Sequence, residues 1–180
     1  ACTMDAKTPG NFLMLVGVTS ETMGGSHYRM VSGDPRWANI PRVDRNVGPA
    51  AAAAVAALIK AGLVAAAHDC SDGGFLVAAA EMAFGGRIGL ELDLSGMPTA
   101  TDLDPIAACY AESPSRYLLE IPADKLDAAI RLLGGSGVPF GQVGIFTDRD
   151  HLTLRSPKNG QLLDEPLVEL REAWRKPLDW

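Results

Sequence analysis

The chain has 180 residues, 47% hydrophobic and 21% charged, with a formal charge of −6. That length allows a core burying roughly 70% of the unfolded surface; the composition excludes a disordered chain, and the acidic balance argues against nucleic acid and anionic membranes as partners. Three widely spaced cysteines without a CxxC pair argue against a disulfide framework and a cysteine zinc site and fit a reducing cytoplasm, and no apolar run reaches the ~18 residues that cross a bilayer.

In chain order, the sequence opens ACTMDAKTPG, without an initiator Met, as a piece of a longer polypeptide would. Residues 11–18, NFLMLVGV, are an apolar run bounded by turn residues and predict a buried strand. Residues 19–48 are rich in Gly, Pro, Arg and Asn without periodicity; so long an irregular segment in a compact domain points to function or to disorder. Pro49 lies in the first turn of a helix, GPAAAAAVAALIKAG, that stops at Gly62 and whose small side chains allow close approach to a sheet. A strand is expected over 63–68, LVAAAH, and a helix over 74–86, GFLVAAAEMAFGG, ended by its glycine pair.

Residues 88–94, IGLELDL, alternate apolar and polar side chains as a half-buried strand does. A helix candidate covers 102–112, a strand 116–121 (RYLLEI), and a helix 123–135 with Leu126, Ile130 and Leu133 on one stripe. VPFGQVGIF, HLTLRS and GQLLDE read as a terminal run of strands, and 166–176 as a closing amphipathic helix. Alternating strands and helices followed by clustered strands predict an α+β fold with mixed α/β layers, in one domain spanning 1–180.

Three stretches carry the chemistry. HDCSDGGF (68–75) falls at an expected strand-to-helix turn, where free amide groups and the helix dipole favour an anion. Gly73 and Gly74 let backbone approach a ligand, and Ser71 and Asp72 are competent N-caps; a capped turn needs these same residue types with no ligand at all. His68 and Asp69 belong to the same cluster. TMGGSHY (22–28) offers Gly24, Gly25 and Ser26 as parts of a phosphate cradle, although it lacks the lysine of a P-loop and the spacing of a dinucleotide fingerprint; a surface loop is the alternative. Arg29, Arg36, Arg42 and Arg45 follow, suited to an anionic ligand, an acidic subunit face or solvent. In ESPSRY (112–117), Glu112, Ser113 and Arg116 offer either a Glu112–Arg116 pair or a carboxylate that holds a ribose or an amide. No order of Ser, His and Asp suggests a triad, which argues against nucleophilic catalysis, and no paired histidines suggest a metal site, so no metal-ligating residue is assigned.

Together, TMDAKTPGNFLMLVG, TSETMGGSHY, AAHDCSDGGFLVAAAEMAFGG and AESPSRYLLEI, in this order, resemble the phosphoribosylformylglycinamidine synthase family. The resemblance is to the last, carboxy-terminal AIR-synthase-type (PurM-like) domain of its PurL synthetase subunit and covers essentially the whole chain, with HD-x-SDGG and AEMAF its most specific parts. The family often has Glu after GGS where His27 stands here, and Val or Leu where Cys70 stands. The resemblance implies a ligase of purine biosynthesis that uses ATP, Mg²⁺ and glutamine-derived ammonia. It also implies partners: amino-terminal PurL domains, a glutaminase subunit or domain, and a small PurS-type subunit. In that family most ATP and Mg²⁺ contacts belong to the amino-terminal-type domains, and the resemblance implies that this copy contributes architecture and an auxiliary nucleotide site, so no catalytic residue is assigned here.

On that reading Gly24, Gly25, Ser26, Ser71, Asp72, Gly73 and Gly74 are phosphate- or nucleotide-binding candidates. His68, Asp69, Glu112, Ser113 and Arg116 are substrate or interface candidates. The chain alone is expected to be inactive, with apolar surface exposed near Met14, Val16 and the helix over 50–58. A non-catalytic scaffold, and a sibling such as selenophosphate synthetase or thiamine-phosphate kinase, are the alternatives.

Overall fold

The structure, a computed structural model, describes residues 2–178. Among the described residues, seven strands form one sheet: β1 (Phe12–Val16), β2 (Ala66–Asp69), β3 (Gly89–Asp93), β4 (Tyr117–Ile121), β5 (Phe140–Thr147), β6 (His151–Ser156) and β7 (Gly160–Pro166). Their order is β2-β4-β1-β5-β3-β6-β7, antiparallel except for the parallel β3–β6 pair. The α-helices among the described residues are α1 (His27–Ser32), α2 (Val47–Lys60), α3 (Gly74–Gly86), α4 (Pro105–Tyr110), α5 (Leu126–Ser136) and α6 (Leu167–Arg175). Among the described residues no helix is long and apolar enough to cross a membrane.

The period-two geometry of the central strands splits the core in two. Leu13 and Leu15 of β1 and Leu118 of β4 face α3 and α4, where they meet Phe75, Ala79, Met82 and Cys109. Met14 and Val16, with Leu119 and Ile121, face α2 and α5 and pack on Ala51, Ala54, Leu58 and Leu133. Helix layers therefore cover both faces of β1 and β4, which is why β1 reads as an unbroken apolar run and β4 is interrupted by a single charge, Glu120. Burying one such side chain contributes roughly 1.5–3 kcal/mol.

The expected apolar partner face is thus internal at Met14 and Val16, and of the helix over 50–58 only the outer alanines Ala52, Ala53, Ala56 and Ala57 are exposed. Met14 is 1% and Val16 0% exposed, because the small side chains of α2 seat that helix directly on them. Exposed apolar side chains gather instead on α1 and the segment after it, with Met30 73%, Val31 89%, Ile40 74% and Val43 63% exposed. Residues 19–48 are tied down nonetheless: Met23 and Trp37 are buried against Ala107 and Ala111, and Tyr28 stacks on Tyr110 with ring centroids 4.9 Å apart.

Smaller departures have local causes. Strand β2 starts three residues later than the apolar run 63–68, because pairing with β4 begins at Ala66↔Glu120. On α5 the buried stripe is Ala129 and Leu133 beside half-buried Leu126, and Ile130 turns outward at 40% exposure. Helix α4 begins only at Pro105, where the Asp104 carboxylate accepts from the Ile106 amide at 2.8 Å.

Cys70 and Cys109 are buried, and burial pushes their thiols up to about 11 and about 12. Iodoacetamide at neutral pH is therefore expected to modify half-buried Cys2 in the native state and the other two only on unfolding. Peptide mass mapping of native and denatured samples reads this directly; native labelling at Cys70 would contradict the packing of β2.

Candidate functional site

The β2–β4 register builds the site. Asp69, the last residue of β2, lies opposite Tyr117, the first of β4, and one further backbone bond joins Cys70 N–H to the Arg116 carbonyl at 3.0 Å. The turn after β2 and the turn before β4, 40 residues apart in the chain, are thereby forced side by side. They wall a cavity of about 420 Å³ lined by Asp69, Ser71, Asp72, Glu112, Ser115 and Arg116, among others.

The turn 70–73 delivers the chain into α3 by its glycines. Gly73 and Gly74 hold φ of +78° and +73°, the left-handed region that other residues enter at a cost. A Cβ on Gly74 would stand 2.6 Å from the Ala111 carbonyl oxygen, so backbone packing also demands glycine there. The N-cap of α3 is Gly73 itself, with no side-chain cap. Ser71 and Asp72 do not cap it: the Ser71 hydroxyl donates instead to Asp69, and Asp72 projects outward. The Ser71 hydroxyl, first among several causes, holds the Asp69 carboxyl below its ordinary range.

Glu112 supplies what was expected of a bound anion. Its Oε1 accepts from the Gly73 amide at 2.8 Å and from the His27 amide at 2.9 Å. One carboxylate thus clasps the GGS and SDGG segments together, and it faces His27 rather than pairing with Arg116: the His27 Nδ1 lies 3.3 Å from the same oxygen. The GGS segment itself is largely inward. Ser26 is buried, caps α1 by accepting from the Arg29 amide at 3.2 Å, and donates to the Met23 carbonyl at 2.7 Å. Gly24 donates to the Asn39 carbonyl at 2.7 Å, with no room for a Cβ beside Ala38. Gly25 stands open beside them.

Arg116 is a buried cation, 1% exposed. Its Nε donates to the Ser113 carbonyl at 3.0 Å, Nη1 to Thr19 Oγ1 at 3.0 Å, and Nη2 to the Ala111 carbonyl; burial lowers its pKa from the ordinary value. These bonds fix the turn that carries Glu112. Ser113 is buried too, and its Oγ accepts from the Ser20 amide at 3.0 Å. His68 bridges the cavity's edge and α3, its Nδ1 3.5 Å from Asp69 Oδ1 and its Nε2 2.8 Å from Glu81 Oε2, while Glu81 Oε1 accepts from the Trp174 indole of α6 at 3.2 Å.

Of the candidates, Asp69, Ser71, Asp72, Glu112 and Arg116 therefore line one cavity. Ser113 and Arg116 spend their polar groups on holding the turn before β4, Gly73 and Gly74 shape the turn into α3, and His68 ties β2 to α3. Gly24, Gly25 and Ser26 are not in the cavity's lining and reach it only through the bond from the His27 amide to Glu112. Glu81, Thr19 and Glu120 carry structural roles that were not singled out from sequence. For Glu120 a signal exists: it is the lone charge in YLLEI, on the same strand face as buried Leu118.

Comparison with known proteins adds the family. The family model described as AIR synthase related protein, C-terminal domain, matches residues 8–156. The phosphoribosylformylglycinamidine synthase subunit PurL of Moorella thermoacetica is 34% identical over 98% of this chain and 23% of its own length. That of Caldanaerobacter subterraneus subsp. tengcongensis is 30% identical over 99% of this chain and 24% of its own. The chain thus spans about a quarter of these relatives. Thermotoga maritima PurL complexed with FGAR superposes with a TM-score of 0.82 at 20% identity, over 94% of this chain and 29% of that one. The same protein complexed with ATP gives 0.75 at 19% identity, over 94% of this chain and 27% of that one.

Proposed function

The chain belongs to the AIR synthase related protein family, as its C-terminal domain, and on that premise we propose that it is one domain of a longer cytoplasmic PurL polypeptide. The whole protein would be the ligase that converts formylglycinamide ribonucleotide to the amidine with ATP, Mg²⁺ and ammonia. This domain would form one wall of a nucleotide or substrate cleft closed by amino-terminal PurL domains, with ammonia from a glutaminase subunit or domain and assembly aided by a small PurS-type subunit. The observation that carries this reading is the convergence of Asp69, Ser71, Asp72 and Glu112 on a single cavity. Asp69 is exposed and offers the hard oxygen donor that a nucleotide-borne Mg²⁺ takes; such an ion neutralises phosphate charge. Gly73 and Glu112 keep the wall rigid beside it. The exposed apolar side chains of Met30, Val31, Ile40 and Val43 suit burial against a neighbouring domain.

The 180-residue chain alone is expected to form no amidine from ATP, ammonia and formylglycinamide ribonucleotide; turnover above background would mean that it holds a complete site. Calorimetric titration of the intact protein with Mg·ATP and with the ribonucleotide tests the wall. Asp69→Asn and Ser71→Ala, both at exposed positions, should weaken one of these ligands about tenfold or more, as loss of a charge-assisted contact does. Unchanged binding and unchanged turnover in both variants would favour the scaffold role instead.

A further inference from the structure

His27, Asp72 and Glu112 come from three separate segments: the start of α1, the turn before α3 and the turn before β4. Each offers one ligand atom, and the three atoms lie within 4.8 Å of one another. His27 Nδ1 is 3.3 Å from Glu112 Oε1 and 3.9 Å from Asp72 Oδ1. Two ligand atoms bound tetrahedrally to a zinc-sized ion sit about 3.4 Å apart, so the His27–Glu112 separation already suits a shared ion. The Asp72 side chain, 84% exposed, closes the remaining gap by rotation about its own bonds.

We propose that these three side chains form a binding site for a divalent first-row transition cation such as Zn²⁺, with its open coordination positions turned to solvent and to the cavity that Asp72 and Glu112 line. The ligand set selects the ion. An imidazole nitrogen favours Zn²⁺ and its neighbours in the transition series, whereas Mg²⁺ prefers oxygen and retains its water. Two carboxylates balance the double charge. Glu112 is pre-oriented, because its Oε1 is fixed by the Gly73 and His27 amides, while its Oε2 accepts no hydrogen bond among the described residues. The ion would bolt α1 to the SDGG turn at the point where Glu112 already clasps them. With three protein ligands, the site keeps room for water or an anionic oxygen.

The inference stands on these ligand positions and does not depend on nucleotide binding, so its test contains no nucleotide or ribonucleotide. The intact protein is stripped with EDTA, dialysed, and titrated with Co²⁺ by visible absorption and with Zn²⁺ by calorimetry. His27→Ala and Asp72→Asn are compared with wild type; both side chains are largely exposed, at 57% and 84%, and equal melting temperatures in EDTA confirm that the variants fold. The expected result is one more equivalent bound by wild type than by His27→Ala, with ligand-field bands that disappear in the variant, and affinity weakened by about a hundredfold or more in Asp72→Asn. Equal stoichiometry, affinity and spectra in wild type and His27→Ala would overturn the proposal and leave His27 as a polar neighbour of the two carboxylates.

Discussion

Replacing Glu120 by alanine is expected to lower the unfolding free energy by about 3–5 kcal/mol, the scale of stripping a buried charge from its partners. Glu120 is 0% exposed on β4. Its Oε2 accepts from the Lys7 amide at 2.8 Å, and its Oε1 from the Thr8 amide at 3.0 Å and Asn11 Nδ2 at 2.7 Å. Among the described residues the carboxylate is thus held by three donors, all neutral, and the Lys7 ammonium pairs with Asp5 instead. Alanine leaves all three donors without their acceptor, the Asn11 amide at a buried position and the Lys7 and Thr8 amides at part-buried ones. Glutamine keeps one acceptor oxygen but sets an amide NH₂ against a backbone N–H, so Glu120→Gln should cost about 1–3 kcal/mol. The damage has a place. Segment 7–11 feeds β1, and just before it Ala6 is buried and donates to the Met82 carbonyl of α3 at 3.0 Å. Chemical denaturation measures the loss, and hydrogen exchange should show residues 6–11 deprotected before the sheet. A variant within about 0.5 kcal/mol of wild type, the scale of a neutral surface change, would contradict this account.

Gly74→Val should destabilise by a similar amount, about 3–5 kcal/mol, and lower the melting temperature by roughly 10 °C. Two penalties combine. At φ +73° a β-branched residue is strained by its own backbone, and the new Cβ meets main-chain atoms of α4, the Ala111 carbonyl oxygen at 2.6 Å and the Tyr110 carbonyl carbon at 2.8 Å. Backbone cannot rotate out of the way. Gly73→Ala is the informative control. Gly73 has nearly the same φ, yet the three atoms nearest its Cβ would all belong to the side chain of Val77, the first at 2.6 Å. It should therefore cost clearly less than Gly74→Val and shift the turn rather than the α3–α4 contact. Thermal unfolding of the two variants side by side reads the difference; a larger loss at Gly73 would mean that the strand-to-helix turn, not helix packing, sets the requirement for glycine.

Much of this was legible in the residues themselves. The alternation in GLELD placed β3 with Leu90 and Leu92 inward and Glu91 and Asp93 outward, as found, and GFLVAAAEMAFGG gave α3 with the same bounds. Element type is a local property: a period of two or of 3.6 shows within a dozen residues. The shared order of the GGS, SDGG and ESPSR stretches likewise pointed to the family. What a single segment cannot encode is its neighbour. LMLV reads as apolar without saying whether one face or both are covered, so Met14 and Val16 looked available to a partner until α2 and α5 were seen on top of them. Ser71 and Asp72 looked like caps because capping is a local rule, but Gly73 starts the helix and its amide goes to Glu112, 39 residues away. The Asp69↔Tyr117 register decided that the SDGG and ESPSR turns share a cavity and that one carboxylate fills the place expected for an anion. Periodicity is written along the chain, whereas register and convergence are set by the free energy of packing all the elements at once.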